Sequence, residues 1–171
     1  MLRDPSARKL ATKLKSALLA VFAVSGLSVV APAEAARFCF VRLQPLGFGV
    51  YAPGTPSPVD STGLLQIFCI GRPSRGQPSS YVMSISGGTS GDPSARYMSS
   101  SSSSLNYNLY QDAARTTIWG DGTFGTLPMT QGFSGRGFIF RRIHPIYGRS
   151  PAGQDPAPGS YVDTPLVTIE F

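Results

Sequence analysis

Beyond residue 36 no stretch of this chain keeps a helical period over a useful length. Its apolar residues come in short runs, at 38–43, 63–70, 81–86, 105–110, 116–119, 137–143 and 160–171, separated by Gly, Pro and Ser clusters at 53–58, 71–80, 87–94 and 151–159. In 105–110, Leu105, Tyr107 and Leu109 alternate with Asn106, Asn108 and Tyr110, which is the period of a half-buried strand. Short strands spaced by turn formers favour two packed antiparallel sheets. The expected fold class is all-β, a sandwich. Six consecutive serines, 99–104, bring nothing to a core and are expected as a solvated loop leading into the Leu105 strand.

The first 35 residues read differently. Arg3, Arg8, Lys9, Lys13 and Lys15 precede an apolar run over 17–30, and Ala33-Glu34-Ala35 follows it. That order is a cleaved secretory signal, which leaves a single domain over 36–171, beginning at Ala36. An apolar run of this length is short for a membrane span, and no later run is longer.

Processing also changes the charge. Five of the fifteen basic residues and two of the nine acids lie in the leader, so the whole-chain net charge of +6 falls to +3, carried by ten arginines and no lysine. The arginines are scattered, with only Arg141 and Arg142 adjacent. A nucleic-acid surface needs a cluster or stripe, so a solvated face is the better account.

Cys39 and Cys69 are the two cysteines, and export places them where disulfides form and persist. A bridge between them would close a loop worth about 3.5 to 4 kcal/mol in the chain-entropy model. The rival reading is a metal or catalytic thiol. His144 is the only histidine and there is no Cys-x-x-Cys pair, so a zinc site lacks ligands.

Catalysis finds little to work with. A serine or cysteine nucleophile needs a base beside it, and His144 sits in Arg142-Ile143-His144-Pro145 at a strand end. The segment 132–137, GFSGRG, imitates a nucleophile elbow but carries Arg136 where the second glycine belongs. Asp60, Asp92, Asp121 and Asp155 stand beside Gly, Pro or Ser in turn-like contexts. Asp121-Gly122 offers one oxygen, far short of a calcium loop. No cofactor and no enzyme activity are expected.

Three segments stand in one order along the chain: FGVY at 48–51, LNYNLYQDAARTTIWGDG at 105–122, and PAGQDPAPGSYVDTPLVTIEF at 151–171. With them the chain resembles the spore coat protein U domain, shared by spore coat protein U and subunits of archaic chaperone-usher pili. The resemblance implies an immunoglobulin-like sandwich that is incomplete, with one strand supplied by a partner. The implied partners are a periplasmic pilus chaperone, an outer-membrane usher and a neighbouring subunit that donates a strand, by β-strand addition. The product would be exported through the periplasm to a surface pilus or secreted. The first and last strands would flank the groove, with Phe38, Phe40 and Arg42 on one edge and Val167, Ile169 and Phe171 on the other. Subunits within a fibre carry a donor segment before the first cysteine. This chain has only Ala36, Arg37 and Phe38 there if cleavage falls after Ala35, which fits a strand acceptor at the distal tip. A free-standing coat or matrix protein with a complete sandwich is the alternative, and an extracellular enzyme a remoter one.

Residues 123–135, TFGTLPMTQGFSG, set Phe124, Leu127, Met129 and Phe133 among Gly, Thr and Pro. They are expected to form a loop whose apolar side chains either plug the core or meet a surface.

Overall fold

A computed structural model describes residues 38–71, 80–132 and 139–171; the expected leader lies outside them. Nine strands follow in chain order: β1 (Phe38–Gln44), β2 (Val59–Ile70), β3 (Ser80–Ile85), β4 (Tyr97–Ser99), β5 (Ser104–Asn106), β6 (Asn108–Tyr110), β7 (Met129–Gly132), β8 (Ile139–Ser150) and β9 (Val167–Glu170). They form a four-stranded sheet in the order β1-β2-β8-β6, a three-stranded sheet β7-β3-β9 and the hairpin β4-β5. Every pairing between them is antiparallel.

Alternation builds the core. Leu65, Ile67 and Cys69 of β2 and Tyr81, Met83 and Ile85 of β3 are buried at every second position, as a pleated strand with one covered face requires. Ile146, Leu109, Tyr107, Met129 and the fully buried Trp119 complete the cluster between the sheets. The Trp119 indole N–H donates to the Met83 carbonyl at 2.9 Å, so its polar edge is satisfied inside.

The strand order carries the functional argument. A seven-strand immunoglobulin sandwich places its first, second, fifth and fourth strands in one sheet and its third, sixth and seventh in the other. With the hairpin and the short β7 set aside, β1-β2-β8-β6 and β3-β9 reproduce both sheets as far as the sixth strand. Among the described residues no strand pairs with the outer edge of β9, where the seventh belongs.

Arg96 holds one end of the core together. It is 1% exposed, and its guanidinium donates to the carbonyls of Ser86, Pro93, Ile85 and Trp119 and to Asn108 Oδ1 at 2.7 to 3.3 Å. Asn108 donates in turn to the Ser94 carbonyl. A lone charge in a core is costly unless its donors are all answered, and carbonyl dipoles answer this one. Burial still presses its pKa downward, opposed by Tyr107 and by Asp163, Asp121 and Asp92 at longer range.

The three sequence motifs meet at the Val59 end of β2 and the Ser150 end of β8. Tyr51 Oη donates to the Pro151 carbonyl at 2.7 Å and accepts from the Gln154 N–H at 3.1 Å. Gln154 Oε1 accepts from the Asn106 N–H, and its amide nitrogen donates to the Asn106 and Pro151 carbonyls and to Ser150 Oγ. Phe48 stacks edge-on against Tyr107 with centroids 5.8 Å apart.

Several expected strands differ. Residues 116–119 make only isolated bridges, Ile118 to Tyr110 and Trp119 to Leu127, because the Asp112 carboxylate captures the N–H groups of Thr116 and Thr117 and bends the chain. The closing run is a strand only over 167–170. Before it, Pro165 offers no donor and Val162 bridges to Ser99 of β4. Strand β8 continues through Pro145 to Ser150, so His144 lies mid-strand rather than at an end; among the described residues only β2 flanks Pro145, since β6 reaches no further along β8 than residues 147–149. The serine run closes the β4-β5 hairpin, with the Ser100 N–H donating to the Ser103 carbonyl at 2.9 Å.

Candidate strand-accepting groove

One rail of the site is β1, the edge of the four-stranded sheet. Cross-strand neighbours share a face, and Cys39, Val41 and Leu43 stand opposite the buried Cys69, Ile67 and Leu65. Val41 and Leu43 are therefore on the core side, yet each is 51% exposed: the core opens to water along this edge. Cys39 and Cys69 form a disulfide that fixes β1 to β2. Among the described residues there are no free cysteines.

The other rail is β9. The Ser86 N–H donates to the Leu166 carbonyl at 3.0 Å, which makes Ser86 and Leu166 a hydrogen-bonded pair. Alternation then makes Thr168 and Glu170 bonded partners of Ser84 and Val82, and turns the backbone N–H and C=O of Val167 and Ile169 outward, away from β3. The Val167 and Ile169 side chains pack against the core while Thr168 and Glu170 are exposed.

Between the rails lies a cavity of about 470 Å3, walled by Leu43, Leu46, Phe48, Val162, Pro165 and Val167, among others, with Ile85, Met98, Leu109 and Ile146 beneath. Leu46 and Phe48 reach it because Gly63 and Gly148 leave room: a Cβ at Gly148 would overlap Leu46 and stand 2.9 Å from Phe48. The carboxylate here, Asp163, is fully engaged. It accepts from the Thr89 N–H and hydroxyl at 2.8 Å, the Thr164 N–H at 2.9 Å and the Tyr107 hydroxyl at 2.7 Å. Burial, then Asp163, pushes the Tyr107 pKa far upward. An apolar trough beside outward-facing backbone suits an extended apolar chain.

Other expected site residues are dispersed. Phe38, Phe40 and Arg42 lie on the β1 rail, but their partners Ile70, Phe68 and Gln66 belong to the outer face, so their side chains point away from the groove. The Phe171 ring lies 5.9 Å from that of Tyr81. In the 123–135 segment Phe124 and Leu127 are exposed whereas Met129 is buried and begins β7; Phe133 lies outside the described residues. Phe124 has φ 51°, a left-handed conformation costly for a bulky residue. His144 is 8% exposed and shares a 2.7 Å hydrogen bond with Tyr81 across the sheets. Burial, then the nearby Arg142 charge, lowers its pKa. Among the described residues no group of three His, Cys, Asp or Glu side chains is placed to hold a metal.

Sequence reasoning missed Val41, Leu43, Leu46 and the Arg96 hub. The alternation of β1 was visible, but an edge strand apolar on both faces does not say which face turns inward.

A two-sheet fold that, among the described residues, is open at its sixth strand is the class to which the geometry assigns this domain. The family model of the Spore Coat Protein U domain matches residues 24–168, and the chain belongs to that family. The match begins within the expected leader. Among solved structures, the CsuC–CsuE chaperone–tip adhesion subunit pre-assembly complex from the archaic chaperone-usher Csu pili of Acinetobacter baumannii shares the fold. Its TM-score is 0.52 at 21% identity, and the match covers 80% of this chain and 40% of that one. No curated protein matches the chain.

Proposed function

We propose that this protein is a strand-accepting, adhesive subunit of an archaic chaperone-usher pilus, exported through the periplasm, carried at the distal tip and promoting surface attachment and biofilm formation. The observation that carries the reading is the open β9 edge beside an apolar trough. A periplasmic chaperone fills the groove first, and a neighbouring subunit's extension replaces its strand at an outer-membrane usher. The inserted strand bonds the outward backbone of Val167 and Ile169 and lays alternate apolar side chains against Val41, Leu43 and the cavity floor. Both steps remove an open edge and apolar surface from water, the latter at about 25 cal/mol per Å2. The fold shared with the Acinetobacter complex, in which a chaperone is joined to a tip adhesion subunit, supports this reading.

The tip position rests on cleavage after Ala35, which leaves too few residues before Cys39 to serve as a donor strand. Intact mass of the exported protein measures it; a mature chain starting near Leu27 would move the subunit into the fibre shaft. The groove is tested by expressing the mature chain alone, with its chaperone, and with a fused donor strand. Aggregation or degradation alone, with rescue by either partner, is the expected result. A stable monomer without any partner would instead identify a free-standing coat or matrix protein.

A further inference from the structure

The outer face of the four-stranded sheet carries an ordered pattern that the groove does not use. Register across β1, β2 and β8 sets Phe38, Ile70 and Ile139 in a first row, Phe40, Phe68 and Arg141 in a second, and Arg42, Gln66 and Ile143 in a third; Gln44, Leu64 and Pro145 follow. Phe38, Phe40, Ile139 and Ile143 are 70%, 58%, 62% and 49% exposed. No carboxylate stands in these rows. The nearest on that face, Asp60, is already taken by Arg149 and Arg115, and Arg141 leans on the neutral amide of Gln66.

We propose that this end of the sheet docks on an anionic lipid surface. The order of the rows argues for lipid over protein. A protein interface surrounds an apolar centre with a polar rim, whereas here, among the described residues, a wholly apolar row leads and cations follow on opposite flanks. Arg141, two residues on from Ile139, stands roughly 7 Å behind the leading row, and Arg42, four residues on from Phe38, roughly 14 Å, from the rise of a strand. Apolar faces of interfacial segments sink about 5–10 Å into the boundary between headgroups and acyl chains, so the leading row would enter that layer with the Arg141 guanidinium at the phosphates, while Arg42 stands further back and meets them by extending its long side chain forward. A second copy of this chain fits poorly, since stacked faces would oppose arginines without a carboxylate.

The test is sedimentation of the soluble mature chain, as a monomer or with its groove filled, with two kinds of vesicle. One is phosphatidylcholine alone and the other an equal mixture with phosphatidylglycerol. Binding to the mixed vesicles only is expected. Replacing Arg42 and Arg141 by Ser should weaken it about thirty-fold, from roughly a kcal/mol per arginine near such a surface. Phe38→Ser with Ile139→Ser, in the leading row, should abolish it with the melting temperature unchanged. Equal binding to both vesicles, no binding, or full binding by the arginine variant would overturn the proposal. So would self-association or docking of an acidic protein that uses these residues without vesicle binding.

Discussion

Arg96 stabilises the core without an ion-pair partner. Replacing it by Met removes its donors and leaves buried carbonyls of Ser86, Pro93 and Trp119 unanswered, at a cost of about 1–3 kcal/mol per orphaned group. A loss of at least about 3 kcal/mol in chemical denaturation is expected, and Arg96→Lys should recover little because an ammonium cannot spread over so many acceptors. His144 yields a pH dependence. Its folded pKa lies below the ordinary 6.5 because burial, then Arg142, disfavours the imidazolium. The unfolded chain therefore binds the proton more readily, so the contribution of His144 to stability is intact above pH 6.5 and is lost as pH falls through the folded value. Denaturation between pH 7 and pH 5 should show that decline, and it should flatten in His144→Gln. An unchanged slope in that variant would remove His144 as its cause.

At the scale of elements, the segment after β1 is held by missing atoms. Leu46 and Phe48 lie over Gly148, and Leu46 over Gly63, so β2 and β8 each give up a side chain to let that segment fold onto the core. Gly148→Ala should lower stability by about 1–3 kcal/mol through overpacking. Combined with Leu46→Ala it should cost less than the sum of the single changes; simple additivity would show that the two do not touch. The all-β class, the alternation of Leu105, Tyr107 and Leu109 and the disulfide were legible in sequence because period and compartment act locally. The strand at 129–132 was not, since polar Thr130 and Gln131 become strand only by pairing with Val82 and Tyr81. Nor was Arg96, whose acceptors come from segments as much as 23 residues away.

For the whole molecule, the groove lies between the first and last strands, while the exposed apolar side chains of the 123–127 loop lie apart from it in sequence. Since Met129 is core, the variant that separates adhesion from folding is Phe124→Ser with Leu127→Ser. It should leave the melting temperature unchanged and weaken attachment of piliated cells to apolar surfaces. Normal attachment would place the adhesive surface elsewhere. The groove was legible only through family resemblance, because no local pattern reveals that a sheet stops one strand early.

The disulfide has a mechanical meaning as well. In the proposed assembly a pull along the inserted strand would load its ladder with β9 lengthwise, so that many hydrogen bonds share the force at once. Strand β1 faces a different hazard, peeling from β2 one pair at a time from its Phe38 end. The bridge sits at the second described pair, Cys39 opposite Cys69, next to Phe38 and Ile70; a tear passing Phe38 meets a covalent stop at once. Stretching single molecules of the groove-filled domain before and after reduction should show the oxidised form rupturing at higher force, and equal rupture forces would mean that β1 is never the part that yields.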